Sequence, residues 1–188
     1  LAQEISAILA DCPWFQPVMP RTGTPFSVRM TNLGPLGWVS DKDRGYRYQP
    51  THPVTGRPWM AIPDRLLAAW RSLTPYTALP EACLVNLYEG RAKMGAHQDR
   101  DEEDFEAPVL SVSLGDDAVF HVGGRARSDP KTRVTLKSGD VLLLEGESRL
   151  AYHGIDRLHA GSSDLLMRAG FGHGGRINLT LRRVTRPG

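Results

Sequence analysis

The spacing of apolar and polar positions changes character near residue 82. Before it, turn residues recur too often for a long helix. The stretch MTNLGPLGWVSDKDRGYRYQPTHPVTGRPWM (30–60) alternates aromatics with Gly, Pro and Asp and predicts short strands and loops. One helix is predicted in IPDRLLAAWRSL, where Leu66, Leu67, Trp70 and Leu73 recur at helical spacing behind Pro63, a residue suited to a first turn. Trp70 is expected in the core. ISAIL (5–9) is expected in a second helix.

From Ala82 onward the pattern is β. ACLVNLY, PVLSVSLG, AVFHV, RVTLK, DVLLLEG and RINLTLRRV are short, β-branched or alternating, and bounded by Gly, Asp, Pro or Ser. Short strands at these intervals predict a sandwich, a jelly roll or a small barrel, mainly β with flanking helices. No repeat or linker divides the chain.

Alternation also sorts side chains by face. In RINLTLR one face carries Ile177, Leu179 and Leu181, and the other Arg176, Asn178, Thr180 and Arg182. Asn86 and Tyr88 share a face in NLY, and His97 and Asp99 share one in HQD if that segment is extended. A single polar face is ordinarily wet. Several on one β-rich chain point to a polar pocket inside a jelly roll. His and Asp two residues apart can bind one metal ion, and with a distant His they form the two-histidine, one-carboxylate facial set that suits ferrous iron. His52, His121, His153, His159 and His173 are the candidates for the third ligand, and His153 follows an apolar strand. Two arginines on one polar face need anions, which a dicarboxylate cosubstrate supplies. The competing expectation is an ion pair with the acidic run Asp101 to Asp104.

Composition adds limits. The 188 residues suffice for one domain with a core of its own. No apolar run approaches the ~20 residues of a membrane span, and the opening LAQEISAILADC is a poor signal peptide. Cys12 and Cys83 match no zinc or redox spacing and are expected as reduced thiols in a cytoplasmic protein. The net charge is only +2, but RARSDPKTRVTLK (125–137) and the tail LRRVTRPG concentrate basic residues that can neutralise phosphates.

Taken together, NLYEGRAKMGAHQDRDE, APVLSVSLGDDAVFHVGG, SGDVLLLEGESRLAYHGI and RINLTLR resemble the AlkB family of iron(II)- and 2-oxoglutarate-dependent dioxygenases, and its bacterial DNA-repair members in particular. The resemblance runs from about Leu36 to Arg182, in family order. It implies a double-stranded β-helix (jelly roll) in a single dioxygenase domain, with residues 1–80 as N-terminal extension and nucleotide-recognition lid and 81–188 as catalytic core. It implies Fe(II), 2-oxoglutarate and O2 as the reacting partners of the site. An N-methyl group of 1-methyladenine or 3-methylcytosine is then hydroxylated while 2-oxoglutarate goes to succinate and CO2, and the product collapses to formaldehyde and the repaired base. The implied substrate is alkylated single-stranded DNA, with double-stranded DNA or RNA as further candidates, taken by a monomer without a membrane.

Residue by residue, the resemblance makes His97, Asp99 and His153 the iron ligands. Asn86, Tyr88, Arg176, Asn178 and Arg182 hold 2-oxoglutarate, with Arg182 at the far carboxylate and Arg176 near the chelating end. Trp38, Tyr46 and Tyr48 belong to the lid over the nucleotide. Asp101 and Glu102 face the damaged base, and Arg127 is a basic residue beside the pocket. Glu103 and Asp104 are expected in a solvated loop. Two departures from the family pattern stand out: Leu144 where tryptophan is frequent, and a longer segment at 161–175 that could bring His173 to the pocket rim. A same-fold dioxygenase acting on RNA or on a protein side chain is the alternative reading, and a metal-free binding module is a third.

Overall fold

The computed structural model describes all residues from Leu1 to Gly188. Eleven strands and three helices follow in the order α1 (Ala2–Ile8), β1 (Arg29–Leu33), β2 (Gly37–Asp41), β3 (Gly45–Gln49), α2 (Asp64–Leu73), β4 (Ala82–Tyr88), β5 (Met94–His97), β6 (Val109–Gly115), β7 (Asp117–Val122), β8 (Thr132–Leu136), β9 (Val141–Leu144), β10 (His153–His159), α3 (Leu165–Arg168) and β11 (Arg176–Arg182). A 3-10 turn, Gly146–Leu150, precedes β10.

The larger sheet runs β1-β4-β11-β6-β9 and the smaller β5-β10-β7-β8, with every pairing antiparallel. The two-faced strands expected from the sequence explain why they close on each other. Ile177, Leu179 and Leu181 of β11, with Cys83, Val85 and Leu87 of β4 and Leu110, Val112 and Leu114 of β6, make one apolar face of the larger sheet. The helices cover it: Ile5 of α1, Leu66 and Trp70 of α2 and Leu166 of α3 all pack there. Trp70 is fully buried, as expected. The opposite face carries the polar residues and looks toward the smaller sheet. Between the two sheets, Tyr88, Ala118, Phe120, Leu136 and Ile155 form a second apolar cluster.

The hairpin β2–β3 stands apart as a two-stranded sheet, pairing Trp38 with Tyr48 and Ser40 with Tyr46. β1 joins the larger sheet through β4, so the segment before residue 81 contributes a strand to it. Two elements depart from the sequence expectation. His153 does not merely follow a strand but begins β10, and the long segment at 161–175 folds back as α3, anchored by the buried Leu166.

Candidate metal and cosubstrate site

β5 is the edge strand of the smaller sheet, and it ends at His97. In the β5–β10 pairing His97 lies directly opposite His153. Gly154 makes this close approach feasible, because a Cβ there would run into the Met94 carbonyl oxygen. The two imidazole rings lie 4.5 Å apart between centroids. Asp99, just beyond β5, reaches both: Oδ1 is 3.6 Å from His97 Nε2 and Oδ2 is 3.6 Å from His153 Nε2. Each ring turns its other nitrogen, Nδ1, to a backbone carbonyl, Gly95 for His97 and Ala151 for His153, both at 2.9 Å. Donation from Nδ1–H leaves the Nε2 lone pairs facing Asp99, the tautomer a metal needs.

One ligand atom from each of the three residues falls within 4.8 Å of the others. Burial alone would raise the Asp99 carboxyl, but Arg182, then His153 and His97, outweigh it and hold it well below the usual carboxylate range. Burial pushes the His153 imidazole below its ordinary value against the pull of Asp99. An anionic carboxylate and a neutral imidazole are the protonation states that ligation requires. Two nitrogens and one oxygen on one side of a potential ion match Fe(II) with three open positions.

An inner cavity extends from this triad between the sheets. Its wall is the polar face of the larger sheet, and the register explains the lining: Asn178 sits between Asn86 of β4 and Ser113 of β6, and Arg176 between Tyr88 and Gly115. Arg176 is completely buried, yet only Nη2 has a partner, the Ser113 hydroxyl at 2.8 Å. Its Nε and Nη1 have none. A buried cation with idle donors is costly, and burial lowers the Arg176 guanidinium from its usual value accordingly. Both features fit a site built for an anion. Asn178 donates to Ser111 at 2.6 Å and accepts from Thr180 at 2.8 Å, and burial pushes the Tyr88 phenol up to about 12. Leu144, where tryptophan was the family expectation, is buried against this cavity.

Arg182 occupies the opposite end. Its Nη2 donates to Asp99 Oδ1 at 2.7 Å and its Nη1 to Glu102 Oε1 at 3.0 Å. This reverses the expected order of the two arginines. Arg182 stands at the metal triad, and Arg176 lies at the remote end beside Ser113. The reason is strand direction: β11 enters at Arg176 and arrives beside Asp99 only at its last residue. The expected ion pair with the acidic run is thus present, between Arg182 and Glu102.

Glu102 is a second correction. Its side chain is wholly buried between Arg182, Arg149 and Tyr48, and it does not line the outer cavity. Arg149, on the 3-10 turn, also donates to the Asp99 carbonyl at 2.7 Å and to the Ala107 carbonyl at 2.8 Å. Sequence reasoning did not single out Arg149, and nothing in its local pattern signals it. Tyr48 likewise turns its hydroxyl inward to Glu102 and Arg182 and does not line the outer cavity. Asp104, expected in solvent, is buried and accepts a hydrogen bond from Tyr76.

A wider outer cavity of about 600 Å³ opens on the other side of His97 and Asp99, within the size range of ligand pockets. Trp38 and Tyr46 stack in its wall, 5.4 Å between centroids at 27°, and Phe26 meets Trp38 edge-on. Tyr46 remains 45% exposed, so its ring is free for contact. The Trp38 indole donates to Asp101 Oδ2 at 2.8 Å, and Asp101 is solvent-exposed at the cavity wall. Arg127 reaches the same cavity and lies over the Tyr152 ring, and Lys93 and Arg100 also border it. Most of the remaining basic strip is elsewhere, with Arg133 paired to Asp156. His173 pairs with Glu89 and lines neither cavity. No helix is long and apolar enough to cross a membrane.

The chain is similar to known proteins over most of its length. The family model of the 2OG-Fe(II) oxygenase superfamily matches residues 1–182. The alpha-ketoglutarate-dependent dioxygenase AlkB homolog of Caulobacter vibrioides is 56% identical over 162 residues, 86% of this chain and 71% of that protein. The alpha-ketoglutarate-dependent dioxygenase AlkB of Escherichia coli is 42% identical over 188 residues, 98% of this chain and 83% of that protein. The solved structure of OsALKBH1 superposes with a TM-score of 0.76 at 29% identity, covering 97% of this chain and 89% of that one. The double-stranded β-helix is thereby the observed fold, and a donor set of His97, Asp99 and His153 fits a family whose members need Fe(II), 2-oxoglutarate and O2. The chain belongs to the AlkB family of alpha-ketoglutarate-dependent dioxygenases, within the 2OG-Fe(II) oxygenase superfamily.

Proposed function

We propose that this protein oxidatively demethylates N-alkylated nucleic-acid bases, such as 1-methyladenine and 3-methylcytosine in single-stranded DNA, releasing formaldehyde, succinate and CO2. The observation that carries the reading is that His97 and Asp99 line both cavities at once. A cosubstrate held in the inner one and a base held in the outer one would meet at His97 and Asp99.

His97, Asp99 and His153 would hold iron, which together with 2-oxoglutarate and O2 supplies the oxidising power. Every other task falls to side chains. Arg176 offers its idle Nε and Nη1 to the remote carboxylate of 2-oxoglutarate, a charge-assisted pairing. Tyr88, Asn86 and Asn178 flank the same path. Arg182 keeps Asp99 ionised and aimed at the metal position.

In the outer cavity, Trp38 and Tyr46 on one side and the His97 ring near the metal give a flat substrate ring surfaces to stack on. Base–aromatic stacking is worth roughly 1–3 kcal/mol per base. The lesions carry positive charge, and Asp101 supplies a carboxylate where a cationic ring would lie, favouring the damaged base over its neutral parent. A methylated Watson–Crick edge is hidden in a duplex, so the base must come from a single strand or be flipped out. Arg127, Lys93 and Arg100 around the opening suit the flanking phosphates. Residues 1–80 thus act as extension and lid and 81–188 as catalytic core, a division of labour within one domain, since β1 crosses it. The buried free thiols Cys12 and Cys83 fit a reducing cytoplasm.

The test is turnover of matched single-stranded DNA and RNA oligonucleotides bearing one 1-methyladenine, with wild type and Asp101→Asn. Faster loss of the methyl group from DNA, and a fall of about tenfold or more in Asp101→Asn through lost charge pairing, is the expected result. Preference for RNA would move the substrate class. An unchanged Asp101→Asn would remove the charge argument.

A further inference from the structure

Trp38 and Tyr48 face each other directly across the β2–β3 pair, so both side chains leave the hairpin on one face. Each places its polar atom on one of two consecutive acids. Trp38 Nε1 donates to Asp101, and the Tyr48 hydroxyl donates to Glu102. The same Tyr48 oxygen accepts from Arg182 Nη1 at 3.2 Å, while Arg182 Nη2 holds Asp99 at 2.7 Å. One guanidinium therefore separates the lid hairpin from a ligand carboxylate. Glu102 is fixed from behind by Arg149, which also holds the Asp99 carbonyl.

We propose that Tyr48 is a positioning residue that seats the hairpin on Arg182, so that closing the outer cavity and setting the Asp99 carboxylate are one event. This rests on the roles given above to Asp99 and Arg182. Trp38 completes the wall around the base, Tyr48 reports that the wall is in place, and Arg182 passes the state to the ligand. Burial raises the Tyr48 phenol well above its ordinary value, against the pull of Arg182, so the hydroxyl remains a donor to Glu102. A hairpin lifted from its seat would leave Arg182 one partner fewer beside Asp99, and 2-oxoglutarate would then be consumed without a base in register.

Tyr48→Phe tests this because it strands no charge: Glu102 keeps Arg182 at 3.0 Å and Arg149 at 3.1 Å, so the fold should survive. Tyr76→Phe is the control, since it removes a phenol–carboxylate bond, to Asp104, outside both cavities. The first readout is amide hydrogen exchange in the metal-free protein. In Tyr48→Phe the amides of β2 and β3 should exchange roughly tenfold faster, as expected for loss of a hydrogen bond to a charged group, with β4 and β11 unchanged. The second is the ratio of succinate formed to methyl groups removed, which should rise several-fold in Tyr48→Phe and stay at the wild-type value in Tyr76→Phe. Unchanged exchange in β2 and β3, an equal change in all strands, or the same ratio in all three proteins would overturn the proposal. The exchange arm needs no turnover, so a protein that fails to oxidise 2-oxoglutarate would refute the functional reading while the seating of the hairpin is still decided.

Discussion

Arg176→Met should leave stability nearly unchanged while it weakens cosubstrate binding. In the cosubstrate-free protein Arg176 is a fully buried cation whose Nε and Nη1 have no partner and whose only hydrogen bond is to Ser113. Removing it forfeits one charge-assisted bond worth about 1.5–3 kcal/mol but also relieves idle buried donors that cost about 1–3 kcal/mol. The two nearly cancel, so the variant should stay within about 2 kcal/mol of wild type. Binding behaves differently. At a 2-oxoglutarate concentration of about 100 Kd, with Mn(II) under nitrogen to prevent turnover, linkage stabilises wild type by about 2.7 kcal/mol. For a protein of this size that is a Tm rise of roughly 5–11 °C, at about 2–4 °C per kcal/mol. Truncating one partner of a buried charge pair costs about 2 kcal/mol or more, so Kd rises at least roughly 30-fold and the Tm shift at the same concentration shrinks to roughly 2–3 °C. Differential scanning calorimetry with and without cosubstrate reads both effects. A variant that keeps the full cosubstrate shift, or that loses more than about 2 kcal/mol without cosubstrate, would refute the assignment of Arg176 to an anion.

Further expectations follow from the same geometry. Glu102→Gln weakens a wholly buried junction of Arg149, Arg182 and Tyr48, so it should lower the urea midpoint and slow oxidation of 2-oxoglutarate with and without oligonucleotide alike. A loss confined to the charged base would restore Glu102 to the substrate side. Acid should unfold the protein through its depressed carboxylates. Asp99 is held low by Arg182 despite burial, Asp104 chiefly by the Tyr76 hydrogen bond, and Asp156 chiefly by that from Arg133. A lowered folded value gives stability that is present above the unfolded pKa near 3.9 and lost as pH falls through the folded one. The urea midpoint should accordingly drop steeply below about pH 4; a midpoint that holds level to about pH 2 would deny these pairs a net role.

Much of this site was readable in the chain because a strand's period of two is strict. RINLTLR announced both an apolar face for the helices and a polar face for the cavity, and ACLVNLY coincides with β4. HGIDRLH gave no such signal. It is a strand because β5 and β7 hold it from both sides, a tertiary effect that local propensity does not carry. The order of the two arginines is hidden for a related reason: spacing says that Arg176 and Arg182 share a face, but only the course of β11 says which one arrives beside Asp99. Asp101 and Glu102 are neighbours of one charge, yet one remains at the solvent and the other is drawn inside by Arg149 from a distant turn. Adjacent acids look alike until their partners are known.

The most direct trial of the whole account is a single reaction followed by mass. A single-stranded oligonucleotide with one 1-methyladenine is incubated with ferrous iron, ascorbate, 2-oxoglutarate and either wild type or Asp99→Ala. The account predicts loss of one methylene unit and equimolar succinate with wild type, and neither with Asp99→Ala. Succinate formation or methyl loss that persists without the Asp99 carboxylate would contradict the metal site, and with it the mechanism built around it.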